Sequence, residues 1–268
     1  MGLAAGYEAW IITVGNEVLI GRIVNTNAAW LGKKLTLLGY RVRREITVAD
    51  ELEDIAWAFK MALDSKARVI ISTGGLGPTF DDKTAEGLAR AVGKELEINE
   101  EALAMVKEKY ESKGMKLTEP RIKMAKLPKG AKPIPNPVGT APGIHVSMNR
   151  YDIFSLPGVP KEMQAMFEEY LEPFLKKIMP HVIFVERAIR SYGIPESEVA
   201  PLIEHAMRQG KRVYIKSHPK GAELGEPILE FHLTASGDNE EEAREELNRV
   251  LSILLQELRN KCAKVEVL

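Results

Sequence analysis

Short apolar segments alternate with amphipathic segments along the first two thirds of the chain. Two of the apolar segments, Ala9–Gly15 and Arg68–Thr73, are rich in β-branched residues. Runs of this length and composition are typical of buried strands. Between them, Leu52, Ile55 and Phe59 fall on one face of a helix. Because strands that alternate with helices form βαβ units, the sequence predicts an α/β fold whose mostly parallel sheet is covered on both faces.

Several element boundaries in this region are predicted from local signals. Asp50 precedes an amphipathic segment and is a candidate N-cap. A helix is predicted from Asp81 to Val92, because two acidic residues open it and apolar residues follow. The stretch from Met115 to Pro142 is rich in Lys and Pro and predicts a loop with little regular structure.

The pattern changes near Pro180. Beyond this residue the segments follow the order strand, helix, strand, strand, helix, strand. This β-α-β-β-α-β order is typical of the ferredoxin-like or split βαβ arrangement. The sequence therefore predicts two domains, a larger α/β domain over residues 1–180 and a smaller α+β domain over residues 181–268.

Composition excludes several classes of function. The 268 residues carry 37 Lys and Arg against 38 Asp and Glu, so the chain lacks the strong field of a protein dedicated to nucleic acid or membrane surfaces. One cysteine excludes an internal disulfide framework. No apolar run is long enough to span a bilayer, and the first residues lack the basic region of a signal peptide. We expect a cytoplasmic protein that binds neither nucleic acid nor membranes.

Glycine-rich loops follow three of the predicted strands. Ligands of open α/β sheets bind beyond the carboxyl ends of the strands. The three loops and a fourth segment that can fold over the same edge read VGNEVLIG, GGLGPTFDD, LPGVPKEM and NPVGTAPG. Gly74, Gly75 and Gly77, followed by a helix that begins near Thr79, could form a phosphate-binding loop, although such glycines also occur in plain turns.

Two common nucleotide motifs do not fit this loop. A Walker A loop requires a second glycine where this sequence has Asp82. The dinucleotide fingerprint requires a third glycine, which does not follow Gly75 and Gly77 at the necessary spacing. The sequence therefore supports neither ordinary ATPase chemistry nor hydride transfer.

The adjacent carboxylates Asp81 and Asp82 have two interpretations. Beside a phosphate they would repel the ligand unless a Mg²⁺-type cation bridged them to it, which makes them candidate metal ligands. Glu17 can reach the same edge of the sheet. Alternatively, Thr79 and Asp82 form a capping box, and acids in a first helical turn are stabilised without any ligand.

Two asparagines follow the first glycine loop. Asn25 is a candidate ligand-binding residue. Asn27 is equally well placed to cap the following helix. The five histidines have no metal-ligand spacing, so none receives a role.

Together these motifs resemble the CinA family, and specifically its N-terminal molybdopterin-binding-like domain of the MoaB/MogA type. The matching stretches lie in the family's order over roughly residues 9 to 175 and read GNEVLIGRIVNTNAAWLGKKL, STGGLGPTFDDKT, VGTAPG and LPGVPKEM. Two later stretches, RSYGIPESEV and LEFHLTA, resemble the family's small middle domain. One departure is Asn16, which stands where Thr is expected, while Glu17 and Gly21 are in place.

The resemblance implies a three-layer α/β/α, MogA-like fold and a homodimer that binds a nucleotide or pterin through its glycine-rich loops. It implies divalent-metal-dependent hydrolysis of the pyrophosphate bond of ADP-ribose or a related nucleoside diphosphate derivative, giving AMP and a sugar phosphate. The alternative is a protein that binds or adenylylates molybdopterin, and a third is a non-catalytic assembly module. Full-length bacterial members carry a C-terminal deamidase domain that this sequence lacks, so we do not expect deamidase activity.

Under the leading hypothesis, Asp81 and Asp82 hold one or more Mg²⁺, Mn²⁺ or Co²⁺ ions, and no organic cofactor is expected. Glu17 is the candidate general base or a second metal ligand. The candidate substrate and phosphate contacts are Gly15, Asn25, Gly74, Gly75, Gly77, Thr79, Gly139, Thr140, Ala141, Pro157 and Gly158.

Overall fold

The computed structural model describes residues 7–65, 67–149, 151–178, 183–221, 227–261 and 264–268. The described residues fall into two compact units. The first comprises residues 7–36 and 40–178, and the second comprises Leu37–Gly39 and the residues from 183 onward. The predicted domain boundary at residue 180 lies outside the described residues. None of the described helices is long and apolar enough to cross a membrane.

A six-stranded sheet forms the centre of the first unit. The strands of this unit are β1 (Glu8–Val14), β2 (Arg41–Val48), β3 (Val69–Thr73), β4 (Leu96–Ile98), β5 (Lys126–Pro128), β6 (Lys132–Ile134), β7 (Gly143–Met148) and β8 (Tyr151–Leu156). The main sheet has the order β2-β1-β3-β8-β7-β6, and β4 pairs with β5 in a separate small sheet. The neighbours β2, β1, β3 and β8 are parallel, whereas β7 runs antiparallel to both of its neighbours, β8 and β6.

Helices cover both faces of this sheet. They are α1 (Asn16–Leu19), α2 (Thr26–Leu37), α3 (Leu52–Asp64), α4 (Thr84–Ala91), α5 (Glu100–Glu111), α6 (Glu119–Lys123), α7 (Pro160–Met166) and α8 (Glu172–Ile178), with a π-helical turn at Phe167–Leu171 between the last two. Ile12 of β1 shares a buried cluster with Phe59 of α3. The neighbouring Ile11 lies 3.9 Å from the Cβ position of Gly32 in α2. Because successive strand residues point to opposite faces, α3 and α2 cover opposite sides of the sheet.

The parallel strands end level with one another. Thr13 pairs with Thr73, and Thr73 pairs with Leu156, while Val14 at the end of β1 pairs with Val48. The loops that follow β1, β2, β3 and β8 therefore leave the sheet side by side at its carboxyl edge.

The predicted start of α4 is wrong. The helix begins at Thr84, so Asp81 and Asp82 lie in the loop before it. The carboxylate of Asp82 accepts hydrogen bonds from the Thr79 backbone N–H at 2.8 Å and from the Thr79 hydroxyl at 2.6 Å. These bonds close a turn between the two residues instead of capping a helix. Neither the capping box nor a helix that begins near Thr79 is therefore present.

The stretch from Met115 to Pro142 is also more regular than predicted, because it contains α6, β5 and β6. Pro120 occupies the first turn of α6, where a missing N–H costs no helical hydrogen bond. Pro133 lies in β6, the edge strand of the main sheet, and an edge strand tolerates proline. Pro120 and Pro133 therefore occupy positions in regular elements where a missing N–H is tolerated.

The second unit has the predicted β-α-β-β-α-β order. Its elements are β9 (Ile183–Tyr192), α9 (Glu196–Gln209), β10 (Val213–Pro219), β11 (Ile228–Gly237), α10 (Glu240–Arg259) and β12 (Lys264–Val267). The sheet order is β10-β11-β9-β12, and every pair is antiparallel. Phe231 and Leu233 of β11 are fully buried with Leu254 and Leu258 of α10. The predicted α/β fold with a smaller α+β part is therefore confirmed.

Candidate functional site

A cleft of about 610 Å³ lies at the carboxyl edge of the parallel strands. Residues that follow β1, β2, β3 and β8 line it, together with Met124 and with Thr140 and Ala141 from the segment before β7. This volume falls within the range of clefts that hold small molecules. The first unit therefore has a ligand-sized cleft where the sequence predicts one.

Most of the predicted site residues line this cleft. They are Gly15, Glu17, Asn25, Gly74, Gly75, Gly77, Asp81, Asp82, Thr140, Ala141, Pro157 and Gly158. Thr79 and Gly139 are not part of its wall. Thr79 donates to the carboxylates of Asp81 and Asp82, and the Gly139 N–H donates to Asn136 Oδ1 at 2.7 Å. The binding and catalytic roles of the whole set stay predictions.

Some N–H groups of the glycine loop after β3 have no partner among the described residues. The Gly74 N–H donates to the Leu156 carbonyl at 3.0 Å, and the Gly15 N–H donates to the Val48 carbonyl at 3.1 Å. Both groups are therefore engaged within the protein. The N–H groups of the Gly75–Gly77 segment have no hydrogen-bond partner among the described residues. Any phosphate contact from this loop therefore comes from Gly75–Gly77.

Thr84 holds the glycine loop against the first turn of α4. Its buried hydroxyl donates to the Gly74 carbonyl at 2.8 Å, and its backbone N–H donates to the Gly75 carbonyl at 3.1 Å. No sequence motif indicates this role of Thr84. These two bonds occupy the carbonyl groups of Gly74 and Gly75. The N–H groups of Gly75–Gly77 have no partner among the described residues.

The two asparagines form hydrogen bonds at the start of α2, and the ligand-binding role of Asn25 stays a prediction. Asn25 caps α2, because its Oδ1 accepts from the Ala28 N–H at 3.1 Å, so the alternative of an Asn27 cap is wrong. Asn27 is buried and donates from Nδ2 to Thr73 Oγ1 at 3.0 Å and to the Gly158 carbonyl at 2.8 Å. Asn27 thereby connects the first turn of α2 to the loops after β3 and β8.

Carboxylates dominate the charge of the cleft. Its wall contains Glu17, Asp50, Asp81, Asp82 and Glu162, and no Lys or Arg stands among the described residues that line it. Burial raises the pKa of Asp50, and the nearby charges of Glu17, Asp81 and Asp82 raise it further. The hydrogen bond from the Thr79 hydroxyl is the main reason that the pKa of Asp81 is lowered. An anion that enters this cleft meets net repulsion unless a cation accompanies it.

Asp50 is a cleft residue that sequence analysis missed. It was predicted as the N-cap of α3, but the residue before that helix is Glu51, whose side chain makes no capping bond. The Asp50 carboxylate instead accepts from the Asn16 N–H at 2.7 Å and so ties α1 to the end of β2. Its position in the sequence could have indicated a place in the cleft, because Asp50 lies just after a parallel strand, where ligand-binding loops begin.

The donor chemistry of the cleft suits a hard cation. Carboxylate oxygens are the ligands that Mg²⁺ prefers, and Mg²⁺ usually takes only one or two of them and completes its shell with water and ligand phosphates. The described residues contain no group of three or more His, Cys, Asp or Glu side chains placed to hold a metal by themselves. Asp81 and Asp82 could therefore hold such an ion only together with oxygens of a ligand or of water.

The chain is similar to known proteins in sequence and in structure. Residues 10–177 match a family described as a probable molybdopterin binding domain. A protein of Pyrobaculum calidifontis is 52% identical over 97% of this chain and 98% of its own length. A protein of Aeropyrum pernix is 53% identical over 91% of each chain. The crystal structure of the protein CinA from Thermoplasma acidophilum, described as of unknown function, is 50% identical with a TM-score of 0.61 and covers 64% of this chain and 99% of that one.

The fold and the cleft define an α/β domain with a ligand-sized cleft at the carboxyl edge of its parallel strands. The chain belongs to the molybdopterin-binding domain family. Its predicted resemblance to CinA proteins is confirmed by the Thermoplasma acidophilum structure, which covers the first unit's share of the chain.

Proposed function

We propose that the cleft binds a phosphorylated pterin of the molybdopterin type together with a divalent cation. One observation carries this proposal: the N–H groups of Gly75–Gly77, which have no partner among the described residues, belong to a wall whose described residues include five carboxylates and no Lys or Arg. N–H groups of this kind bind phosphate oxygens. The surrounding acids tolerate a phosphate only when a cation neutralises them. The family match supports a pterin as the ligand.

Each part of the cleft then has a role. Gly75–Gly77 would contact the phosphate, and Asp81 and Asp82 would hold Mg²⁺, Mn²⁺ or Co²⁺ with it. When bound, the ion supplies positive charge that polarises a phosphoryl oxygen. Asn27 keeps the Gly158 loop in place beside the ligand. Asp50 fixes α1, which carries Glu17.

A second candidate is hydrolysis of the pyrophosphate bond of ADP-ribose or a related nucleoside diphosphate derivative. The acidic cluster favours it, because a carboxyl group such as Asp50, whose pKa is raised by burial and neighbouring acids, is suited to proton transfer. Water would attack one phosphorus, the bridging P–O bond would break, and AMP and a sugar phosphate would leave. Glu17 is the candidate group that accepts the proton of the water.

One ligand panel tests both candidates. The purified chain is titrated with molybdopterin and with ADP-ribose, each with Mg²⁺, Mn²⁺, Co²⁺ or EDTA, and binding is measured by calorimetry while AMP is measured by chromatography. We expect cation-dependent binding of the pterin, and release of AMP would favour the second candidate. Failure to bind either compound under any condition would refute the proposed function. Light scattering on the same samples tests the predicted homodimer.

Replacement of Asp81 by Asn is expected to weaken cation-dependent ligand binding about tenfold or more, because loss of a metal-facing charge costs at least that much in metal affinity. Asp81 is exposed, so the fold should be retained. Asp54→Asn is the matched control, since Asp54 is an exposed acid in the first turn of α3 outside the cleft. Equal affinity of the two variants, measured by calorimetry in Mg²⁺, would remove Asp81 from the site.

A further inference from the structure

A second, smaller cavity of about 200 Å³ adjoins the cleft. The two share the wall formed by Gly75–Gly77, together with Asp82 and Met124. Lys123 and Lys126 line the smaller cavity and not the cleft. The segment with the unpaired N–H groups therefore lines both spaces, and we call the smaller one the side cavity.

The two spaces differ in charge. The cleft presents five carboxylates and none of the basic side chains among its described lining residues. The side cavity presents Lys123 and Lys126 against Asp82 and Glu86, so its formal charges balance. An anionic group is therefore repelled less in the side cavity than in the cleft.

We propose that the side cavity is the subsite for the terminal phosphate of the ligand. The phosphate oxygens would accept hydrogen bonds from N–H groups of Gly75–Gly77 and from the ammonium groups of Lys123 and Lys126. The remainder of the ligand would occupy the adjoining cleft, which shares these lining residues. This inference rests on the proposed function in that it requires a ligand that carries phosphate.

The two lysines are held differently. Lys123 lies at the end of α6 and donates from Nζ to the Thr79 carbonyl, which leaves two of its three protons for another acceptor. Lys126 is an exposed residue of β5, where it pairs with Ile98, and its ammonium group has no hydrogen-bond or ion-pair partner among the described residues. Lys126 is therefore the lysine whose charge is least committed within the protein.

The two acids that line the side cavity, Asp82 and Glu86, each have a stabilising interaction elsewhere in the protein. Asp82 already accepts two hydrogen bonds from Thr79. Glu86 lies in the first turn of α4, where the helix dipole stabilises its charge. The negative charges of both acids are therefore stabilised without Lys126.

Titration with inorganic pyrophosphate in Mg²⁺, at constant ionic strength, tests the subsite without pterin or nucleotide. Calorimetry and ³¹P NMR would compare the unmodified chain with Lys126→Ala, Lys123→Ala and Lys126→Arg. We expect each alanine variant to bind pyrophosphate about tenfold more weakly, the loss typical of one charged hydrogen bond, and Lys126→Arg to retain most of the affinity. Lys129→Ala is the matched control, because Lys129 is exposed next to β5 and lines neither space.

The pyrophosphate titrations can refute the subsite without refuting the proposed function. Lys126→Ala binding that equals Lys129→Ala binding would overturn the subsite, as would undetectable pyrophosphate binding by the unmodified chain. Either result leaves the pterin and ADP-ribose titrations to decide the function independently. A loss in Lys123→Ala alone would also overturn it, because that variant releases the Thr79 tether as well as a charge.

Discussion

Gly74→Ala is expected to destabilise the first unit by about 3 kcal/mol or more and to abolish ligand binding in the cleft. Gly74 has a φ of 102°, in the region that favours glycine. A Cβ atom there would lie 2.0 Å from the carbonyl oxygen of Val14 and 3.1 Å from its carbonyl carbon. These atoms belong to the backbone of the buried strand β1, so no side-chain movement relieves the overlap. The ends of β1 and β3 must separate, and they carry the loops of the cleft.

Gly130→Ala separates steric overlap from backbone strain. Gly130 has a φ of 82°, and nothing lies within 4 Å of its Cβ position. Only the left-handed backbone conformation opposes alanine there, which costs about 1 kcal/mol. All three tryptophans, Trp10, Trp30 and Trp57, belong to the first unit, so tryptophan fluorescence in urea follows the unfolding of that unit. Equal losses in the two variants would show that the contact with Val14 is unimportant.

Strands and helices whose signals are local could be predicted from the sequence. β1 and β3 are nearly continuous apolar runs because both faces of the sheet are covered. α10 has a capping residue, Asn239, whose side chain accepts from the Glu242 N–H at 2.9 Å. Each of these signals is contained in a few neighbouring residues, so a single sequence displays it.

Elements that depend on distant partners could not be predicted in the same way. β5 is three residues long and becomes a strand because it pairs with β4, about thirty residues earlier in the chain. The start of α4 could not be predicted from Thr79 and Asp82, because the same two residues can close an isolated turn or cap a helix. The tether from Lys123 to the Thr79 carbonyl favours the loop, and it comes from 44 positions away.

The candidate site shows the same division. Its position followed from the rule that ligands bind at the carboxyl edge of parallel strands, and the glycine loops marked that edge. The hydrogen bonds of Asp50 and Asn27 could not be predicted, because their partners Asn16 and Gly158 lie 34 and 131 positions away. A side chain that connects two distant segments cannot be recognised from the sequence until the positions of both segments are known.

Asp152→Ala is expected to destabilise the first unit by about 3–5 kcal/mol, the usual cost of breaking a buried ion pair. Asp152 is 3% exposed. Its carboxylate accepts from the Arg68 guanidinium and lies 3.1 Å from His145 Nε2. His145 is itself buried and stacks on Phe154 with ring centroids 4.3 Å apart. Removal of the carboxylate leaves a buried imidazole and a partly buried guanidinium without the negative charge that both contact.

Glu53→Ala is the matched control for this loss. Glu53 pairs with Arg90 in the same unit, but the two side chains are 75% and 53% exposed. Exposed pairs contribute about 1 kcal/mol or less. Urea unfolding followed by tryptophan fluorescence at pH 7 should therefore show a much larger loss for Asp152→Ala than for Glu53→Ala. Similar midpoints would mean that the Asp152 network contributes little to stability.

The stabilisation by Asp152 is also expected to depend on pH. Burial alone would raise the pKa of Asp152, but hydrogen bonds from His145 and Arg68 outweigh burial and hold that pKa below its ordinary value. A carboxyl group with a lowered pKa in the folded state contributes its full stabilisation above the pKa of the unfolded chain, about 3.9. This contribution is lost as pH falls through the folded-state pKa. The difference in unfolding free energy between the unmodified chain and Asp152→Ala should therefore be constant from pH 7 to 5 and shrink below about pH 4; a difference that stays constant to pH 2.5 would contradict the lowered pKa.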